Sequence, residues 1–175
     1  MRNVFVFGCC VVVFLWFVPQ VFAVDVQGVH ILNTGELDAA SALLKNVKTK
    51  DQWDYVTIPF TLDDTHRLSD WQRFFSQARE LKFQPIIRLA TRFNNGSWVV
   101  PTKKDVVDLT AALSSLEWPV PNERIVVVFN EPNHANEWGG VLDPEGYAGI
   151  LEFTGYWLHA ENVGYVVLPA GLDLS

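Results

Sequence analysis

Short runs of β-branched and aromatic residues alternate with helix-like stretches along most of the chain, and this alternation restricts the fold more than any other feature. Five such runs occur: Gly28–Leu32, Tyr55–Phe60, Pro85–Leu89, Arg124–Phe129 and Tyr165–Ala170. The fourth run is the clearest strand, because it is too short for a helix and apolar after its first residue, as in strands buried on both faces. Strands that alternate with helices indicate repeated βα units around a parallel sheet. The chain is therefore predicted to be an α/β protein.

The segments between these runs carry helix signals. Apolar residues at three- and four-residue spacing predict a helix over about 36–45 and another that begins near Ser69. The predicted buried positions are Ala39, Ala40, Leu43, Leu44 and Val47 in the first helix, and Trp71, Phe74, Phe75, Ala78 and Leu81 in the second. Pro101-Thr102 predicts a third helix over about 103–116. Asp143-Pro144 predicts a fourth that reaches about Asn162, since Asp caps helices and Pro suits their first position.

Five strands and four helices after residue 24 fit two architectures. One is an open, doubly wound sheet, and the other is the first five units of a (β/α)8 TIM-type barrel. A complete barrel takes about 250 residues, so the barrel interpretation predicts that the 175-residue chain is truncated after the fifth strand. It also predicts exposed, association-prone edges on the first and fifth strands, whereas an open sheet would form a compact monomer by itself.

The first 23 residues form a unit distinct from the predicted domain of residues 24–175. Arg2 precedes an uninterrupted apolar run over Val4–Val18, and Ala23 offers a small residue at a cleavage point. These are the parts of a secretory signal peptide, so we expect an extracytoplasmic or secreted domain. Membrane anchoring through an uncleaved segment is the alternative, because about 20 apolar residues can span a bilayer.

Charge and cysteine content limit the kinds of ligand and cofactor that we expect this protein to bind. The formal net charge is −7 and the acidic residues are scattered, so we expect no nucleic acid and favour a neutral or weakly charged ligand. Cys9 and Cys10 lie in the N-terminal unit, which leaves the predicted domain without a disulfide or a thiol ligand. His134 and Glu137 are three residues apart, a spacing that serves a metal only on a helix, and Pro132 indicates a loop there. We expect no metal and no other cofactor.

One short motif carries the chemistry. Phe129-Asn130-Glu131-Pro132-Asn133-His134 stands at the end of the fourth predicted strand. In barrel enzymes the catalytic groups project from the carboxyl ends of the strands, so a carboxylate just past a buried strand faces the site. The proline that follows fixes the backbone beside that carboxylate. Glu131 is therefore the leading candidate for a catalytic group.

Together with the βα order around it, Asn130-Glu131-Pro132 resembles the motif of the clan A glycoside hydrolases, which include cellulases, mannanases, xylanases and β-galactosidases. In that clan an Asn-Glu pair ends the fourth strand, and a second Glu after the seventh strand is the nucleophile. The resemblance implies a retaining glycoside hydrolase of β-linked polysaccharide or oligosaccharide, with Glu131 as acid/base and Asn130 bonded to the sugar 2-hydroxyl. It also implies a nucleophile beyond Ser175, so that the chain alone would be inactive.

Other residues are expected to bind the substrate. Arg88, at the end of the third run, resembles the clan's arginine that keeps the nucleophile ionised, or else it pairs with a structural carboxylate. Trp138 is expected to offer a flat ring to the apolar face of a sugar. His134 either reaches a substrate hydroxyl or closes its own loop with a backbone bond. Phe93 and Trp98 serve either as sugar platforms or as lids over the core.

Two other classes of protein fit the same sequence. A secreted or membrane-anchored barrel without a working nucleophile would bind carbohydrate and not hydrolyse it. A seventh strand that ends in Glu would distinguish the enzyme from this binding protein. An unrelated open α/β domain, in which Asn130-Glu131 only caps a loop, is the third interpretation.

Overall fold

A computed structural model of the chain describes residues 26–46 and 52–173, so the predicted signal peptide or anchor over 1–23 lies outside the described residues. The strands are β1 Gly28–His30, β2 Asp54–Phe60, β3 Phe83–Leu89, β4 Phe93–Asn94, β5 Ser97–Trp98, β6 Arg124–Val128 and β7 Tyr165–Pro169. The α-helices are α1 Leu37–Leu44, α2 Leu68–Glu80, α3 Lys103–Ser114 and α4 Pro144–Glu161, and short 3-10 helices cover Thr34–Glu36, Leu62–His66 and Ala135–Glu137. Across these ranges no helix combines the length and the hydropathy that a membrane crossing needs.

Five of the strands form one parallel sheet in the order β1-β2-β3-β6-β7, and β4 pairs with β5 as a separate antiparallel hairpin. The prediction of an α/β protein with a parallel sheet is confirmed, and each of the five predicted strands is present within one or two residues of its predicted bounds. β1 and β7 are the edges of the sheet, as predicted for the first and fifth strands.

The core lies between one face of the sheet and the helices. Alternate residues of β2, β3 and β6 are fully buried there: Val56, Ile58, Phe60, Ile87, Leu89, Val126 and Val128. Phe60 meets the α2 residue Trp71 edge to face, with ring centroids 4.8 Å apart. The intervening strand residues point to the second face, where Arg88, Val127 and Leu168 are neighbours in register. Period-two alternation thus assigns Arg88 to the face away from the helices.

Two of the four predicted helix starts follow from capping side chains that the structure contains. Thr102 caps α3 with a capping box to Asp105, and Asp143 caps α4 with Pro144 in its first turn. α2 buries Trp71, Phe74, Phe75 and Ala78, as predicted. These residues recur every three or four positions and so share one helix face.

Two details of the helix predictions were wrong. On α1, Ala40 is buried and Leu44 packs against the core as predicted, but Ala39 is exposed and Leu43 is 72% exposed, whereas Leu37, which was not predicted, is fully buried. The N-cap of α2 is Arg67 and not Ser69, since the 3-10 helix Leu62–His66 leads directly into α2 without a capping side chain. Val47, predicted on the same face of α1, lies outside the described residues.

Candidate active site

The carboxyl ends of β3 and β6 lie side by side, and the candidate residues cluster there. Arg88 and Val127 are partners in the parallel register, so the residues that follow them emerge at the same edge of the sheet. Nη1 of Arg88 donates a 2.7 Å hydrogen bond to Oδ1 of Asn130. Of the two predicted roles for Arg88, pairing with a structural carboxylate is not observed within the described part of the chain, where its recorded partner is this amide.

The backbone turns sharply at the motif. Phe129 and Glu131 have φ values of 66° and 28°, in the left-handed region that residues other than glycine rarely occupy. Each such residue costs about 1 to 3 kcal/mol, and strain of this kind concentrates at functional sites. The amide of His134 closes the turn with a 2.8 Å bond to the carbonyl of Glu131. The turn leaves the Glu131 side chain half-buried, just past the end of β6.

A small cavity of about 80 Å³ lies beside this turn. Its walls include the side chains of Arg88, Trp98, Asn130, Glu137 and Trp138. About 10 to 15 Å³ of such volume holds one water, so the cavity has room for several waters or for a polar group of a ligand. A whole sugar ring would have to lie outside it.

Trp138 occupies an unexpected position. Its side chain is only 1% exposed, and it packs edge to face against Phe129 and Tyr147 with ring centroids 6.0 and 5.5 Å away. Stacking on a sugar needs an open ring face, which this buried indole does not have. Trp138 forms part of the wall of the cavity.

Phe93 and Trp98 lie on the β4-β5 hairpin, which leans over the cavity. Asn95 and Gly96 form its turn with φ values of 50° and 85°, as expected for an Asn-Gly hairpin. The carbonyl of Trp98 accepts a 2.8 Å bond from the amide of Gly139, which fixes the hairpin to the loop after β6. Trp98 lines the cavity, whereas Phe93 is 61% exposed and meets Trp98 edge to face at 5.6 Å.

His134 lies with two carboxylates. Ligand-type atoms of Glu131, His134 and Asp173 all lie within 4.8 Å of one another. Nε2 of His134 is 3.5 Å from Oδ2 of Asp173, and Nδ2 of Asn133 donates a 2.6 Å bond to the Asp173 carbonyl. Asp173 was missed in the sequence, because it follows the fifth strand in a stretch with no motif. The loop is closed by the backbone amide of His134, which bonds to the carbonyl of Glu131, and not by its imidazole Nε2, which finds no hydrogen-bond partner among the described residues.

Tyr147, on α4, is a second residue that the sequence did not indicate. Its hydroxyl donates to the carbonyl of Val128 at 3.1 Å and accepts from the amide of Ala170 at 2.7 Å. It therefore ties the ends of β6 and β7 together behind the motif. Burial raises the pKa of Tyr147, so the phenol stays protonated and continues to donate at any ordinary pH.

His30 stands at the end of β1 on the same side of the sheet as Arg88. Burial, and then the positive charge of Arg88, lower the pKa of His30. The imidazole of His30 is therefore neutral at pH 7 and adds no positive charge beside Arg88.

Comparison with known proteins adds no assignment. Neither the models of known protein families nor the curated protein sequences contain a match to this chain. Its function is therefore inferred from the geometry of the motif and from the residues around it.

Proposed function

We propose that this chain is the N-terminal part of a retaining glycoside hydrolase with a (β/α)8 barrel, acting on β-linked polysaccharide or oligosaccharide. Glu131 is its acid/base, and a strand beyond Ser175 supplies the nucleophile. The observation that carries the proposal is the bond between Arg88 and Asn130, which places Asn130-Glu131 at the meeting point of two strand ends. Catalytic groups of barrel enzymes occupy this position.

The strand order supports the barrel. A doubly wound sheet reverses its strand order at a switch point, where its ligand binds. Here each strand of the parallel sheet is hydrogen-bonded to the next one in the chain, without reversal. The second face of β7 is open, with Val166 and Leu168 each 40% exposed. Further strands paired to β7 and β1 would cover this apolar surface and remove both edges.

The proposed roles of Asn130 and Glu131 follow from the hydrogen bonds and protons that their side chains can donate or accept. Oδ1 of Asn130 is taken by the Arg88 guanidinium, so its amide nitrogen remains to donate to a sugar hydroxyl oxygen. Glu131 protonates the leaving-group oxygen as the glycosidic bond breaks, and the nucleophile, whose carboxyl group lies about 5 to 5.5 Å from that of the acid/base in retaining enzymes, attacks the anomeric carbon and forms a covalent glycosyl-enzyme. In the second step Glu131 takes a proton from the water that releases the sugar.

The remaining predicted residues have supporting roles in this proposal. His134 lies beside Glu131 and supports it, whereas Trp138 forms part of the wall of the cavity. The exposed ring of Phe93 supplies the apolar surface that a sugar needs outside the small cavity. The same exposed ring favours the second candidate, a carbohydrate-binding barrel without a nucleophile, because such a surface needs no catalytic pair. Either protein would be secreted, or anchored through residues 1–23.

Substitution of Glu131 tests the proposal. The reading frame that continues past Ser175 is expressed with Glu131→Gln, and hydrolysis of soluble β-glucans and mannans is measured. Glu161→Gln, the same change at an exposed position at the end of α4, is the matched control. We expect activity to fall by about 10² to 10⁴ in the first variant, and to stay at the level of the unmodified protein in the second. Sugar binding without hydrolysis in the unmodified protein would favour the carbohydrate-binding alternative.

A further inference from the structure

Glu131, His134 and Asp173 bring together three side chains of the kinds that bind transition metals. Two come from the loop after β6 and one from the segment after β7, and each offers one ligand atom within 4.8 Å of the other two. Imidazole nitrogen and carboxylate oxygen are both zinc ligands, and a site with three protein ligands keeps a fourth position open.

The contact between His134 and Asp173 does not satisfy the imidazole. Nε2 of His134 is shielded from solvent and finds no hydrogen-bond partner among the described residues, although Oδ2 of Asp173 is 3.5 Å away. A buried nitrogen of this kind is costly unless a partner reaches it. An ion between the two side chains would bond both atoms, because a cation accepts lone pairs from nitrogen and from oxygen.

The observed separation fits a metal better than a hydrogen bond. Zinc binds nitrogen and oxygen at about 2.0 to 2.2 Å with tetrahedral angles, which places two of its ligand atoms about 3.4 Å apart. Nε2 and Oδ2 lie 3.5 Å apart, so this edge of the tetrahedron is already formed. The Glu131 oxygen needs to approach by at most about 1.4 Å, the difference between 4.8 Å and the 3.4 Å edge of the tetrahedron, and a rotation of its half-buried side chain can provide this.

Backbone contacts hold the three residues in place. The amide of His134 bonds to the carbonyl of Glu131 at 2.8 Å, and Asn133 bonds to the carbonyl of Asp173 at 2.6 Å. The two segments that carry the ligands are therefore joined by a hydrogen bond that does not involve the ligand atoms. Such preorganisation reduces the entropy lost when an ion binds.

We propose that Glu131, His134 and Asp173 bind a divalent transition metal of the zinc class, with one position left open. The ion is held by Nε2 of His134 and by one oxygen from each carboxylate. The binding site itself is independent of the proposed hydrolase activity.

A consequence for activity does rest on the proposed function. A carboxylate bound to zinc is held ionised and cannot donate a proton. Zinc would therefore inhibit hydrolysis by occupying the acid/base, and a chelator such as EDTA would restore the activity. Inhibition without recovery would point to a different effect of the ion.

Calorimetric titration with Zn²⁺ tests the site directly. The protein carries Cys9→Ser and Cys10→Ser, so that the N-terminal thiols do not bind the ion. We expect one high-affinity zinc per chain, and an affinity at least about tenfold weaker after His134→Gln or Asp173→Asn, since each removes one ligand. His66→Gln, which removes an exposed histidine elsewhere, is the matched control and should leave the affinity unchanged.

Two results would overturn the proposal. One is the absence of one-to-one zinc binding, and the other is equal affinity in the parent protein and both ligand variants. Asp173→Asn decides the matter if His134→Gln fails to fold, because the Asp173 side chain is 47% exposed and can be changed without loss of packing. Since binding is measured without substrate, a protein that binds zinc but hydrolyses no glycoside would retain this site and lose only the proposed function.

Discussion

Arg88 and Asn130, 42 residues apart in the chain, join the ends of β3 and β6 through a 2.7 Å hydrogen bond. The bond sets the orientation of the Asn130 amide, because the carbonyl oxygen must face the guanidinium. It also gives Arg88 a neutral partner where an isolated buried cation would be costly. Nε of Arg88 is buried and has no acceptor within the described ranges, so its charge is only partly satisfied.

Arg88→Met separates positioning from stability. Replacing this half-buried, partly satisfied cation by an apolar chain of similar length should change the free energy of unfolding by about 1 kcal/mol or less. Loss of the bond frees the Asn130 amide, so hydrolysis should fall by about tenfold to a hundredfold. Urea unfolding and kcat/KM give the two quantities, with the exposed Arg73→Met as control. A large loss of stability with unchanged kcat/KM would show that Arg88 is structural.

Gly139 and Gly140 offer a matched pair of glycines. Both have positive φ, 68° and 85°, but a Cβ on Gly139 would lie 2.5 Å from Cγ2 of Val100, whereas a Cβ on Gly140 would meet nothing within 4 Å. Gly140→Ala should lower the free energy of unfolding by about 1 kcal/mol, because its backbone is strained. Gly139→Ala should lower it by at least about twice as much, because the clash with Val100 is added. Urea unfolding measures both. Equal losses of unfolding free energy in the two variants would mean that Val100 does not pack against Gly139 as described.

Thr102→Ala should weaken α3 in a pH-dependent way. Burial would raise the pKa of Asp105, but bonds from the Thr102 hydroxyl and amide, together with the positive charges of Arg92 and Lys104, hold the pKa below its ordinary value of 3.8. The stabilisation by this carboxylate is therefore present above pH 3.8 and lost as the pH falls through the lower, folded-state pKa.

Thr102→Ala is expected to lower the free energy of unfolding by about 1 kcal/mol at pH 7. This difference from the parent protein should become smaller as the pH falls below 3.8. Thr102→Ser keeps the hydroxyl and should behave as the parent protein does. Thermal unfolding followed from pH 7 to pH 2 provides the measurement. A difference that stays constant over this range would contradict the role given to Asp105.

Trp71→Ala tests the centre of the core. Trp71 is 2% exposed and meets Phe60, Phe74 and Phe75 edge to face. Its removal should destabilise the protein by about 3 to 5 kcal/mol. Tyr156→Ala removes an aromatic ring that is 73% exposed on α4, and should change the stability by less than about 0.5 kcal/mol. Denaturant unfolding gives the free energy of unfolding of each variant. Similar losses in the two variants would contradict the position of Trp71 in the core.

The parallel sheet could be predicted because its signals are local. Alternating strand and helix patterns, Pro144 after the Asp143 cap, and the apolar run of β6 each depend on neighbouring residues. The exposure of Ala39 and Leu43 on α1 could not be predicted in the same way, because these two residues fit the helical period as well as Leu37 and Ala40 do. Contacts with the sheet decide which of the two faces is buried.

The site was predictable only in part for the same reason. Asn130 and Glu131 stand in a recognisable motif, and Arg88 ends a predicted strand, so their meeting follows from the parallel register. Asp173 reaches the motif across the sheet from a segment without any pattern of its own. The burial of Trp138 depends on Phe129 and Tyr147, which enclose its ring from two elements, and no spacing in the sequence indicates this.

The most direct test of Glu131 as acid/base compares two leaving groups. Hydrolysis of a dinitrophenyl β-glycoside, whose leaving group needs no proton, is measured beside that of an alkyl β-glycoside, whose leaving group does, in the parent protein and in Glu131→Gln. Proton donation by Glu131 predicts that the alkyl glycoside loses about 10² to 10⁴ in kcat/KM and that cleavage of the dinitrophenyl glycoside bond is far less affected. Equal losses on both substrates, or no loss on either, would contradict the account.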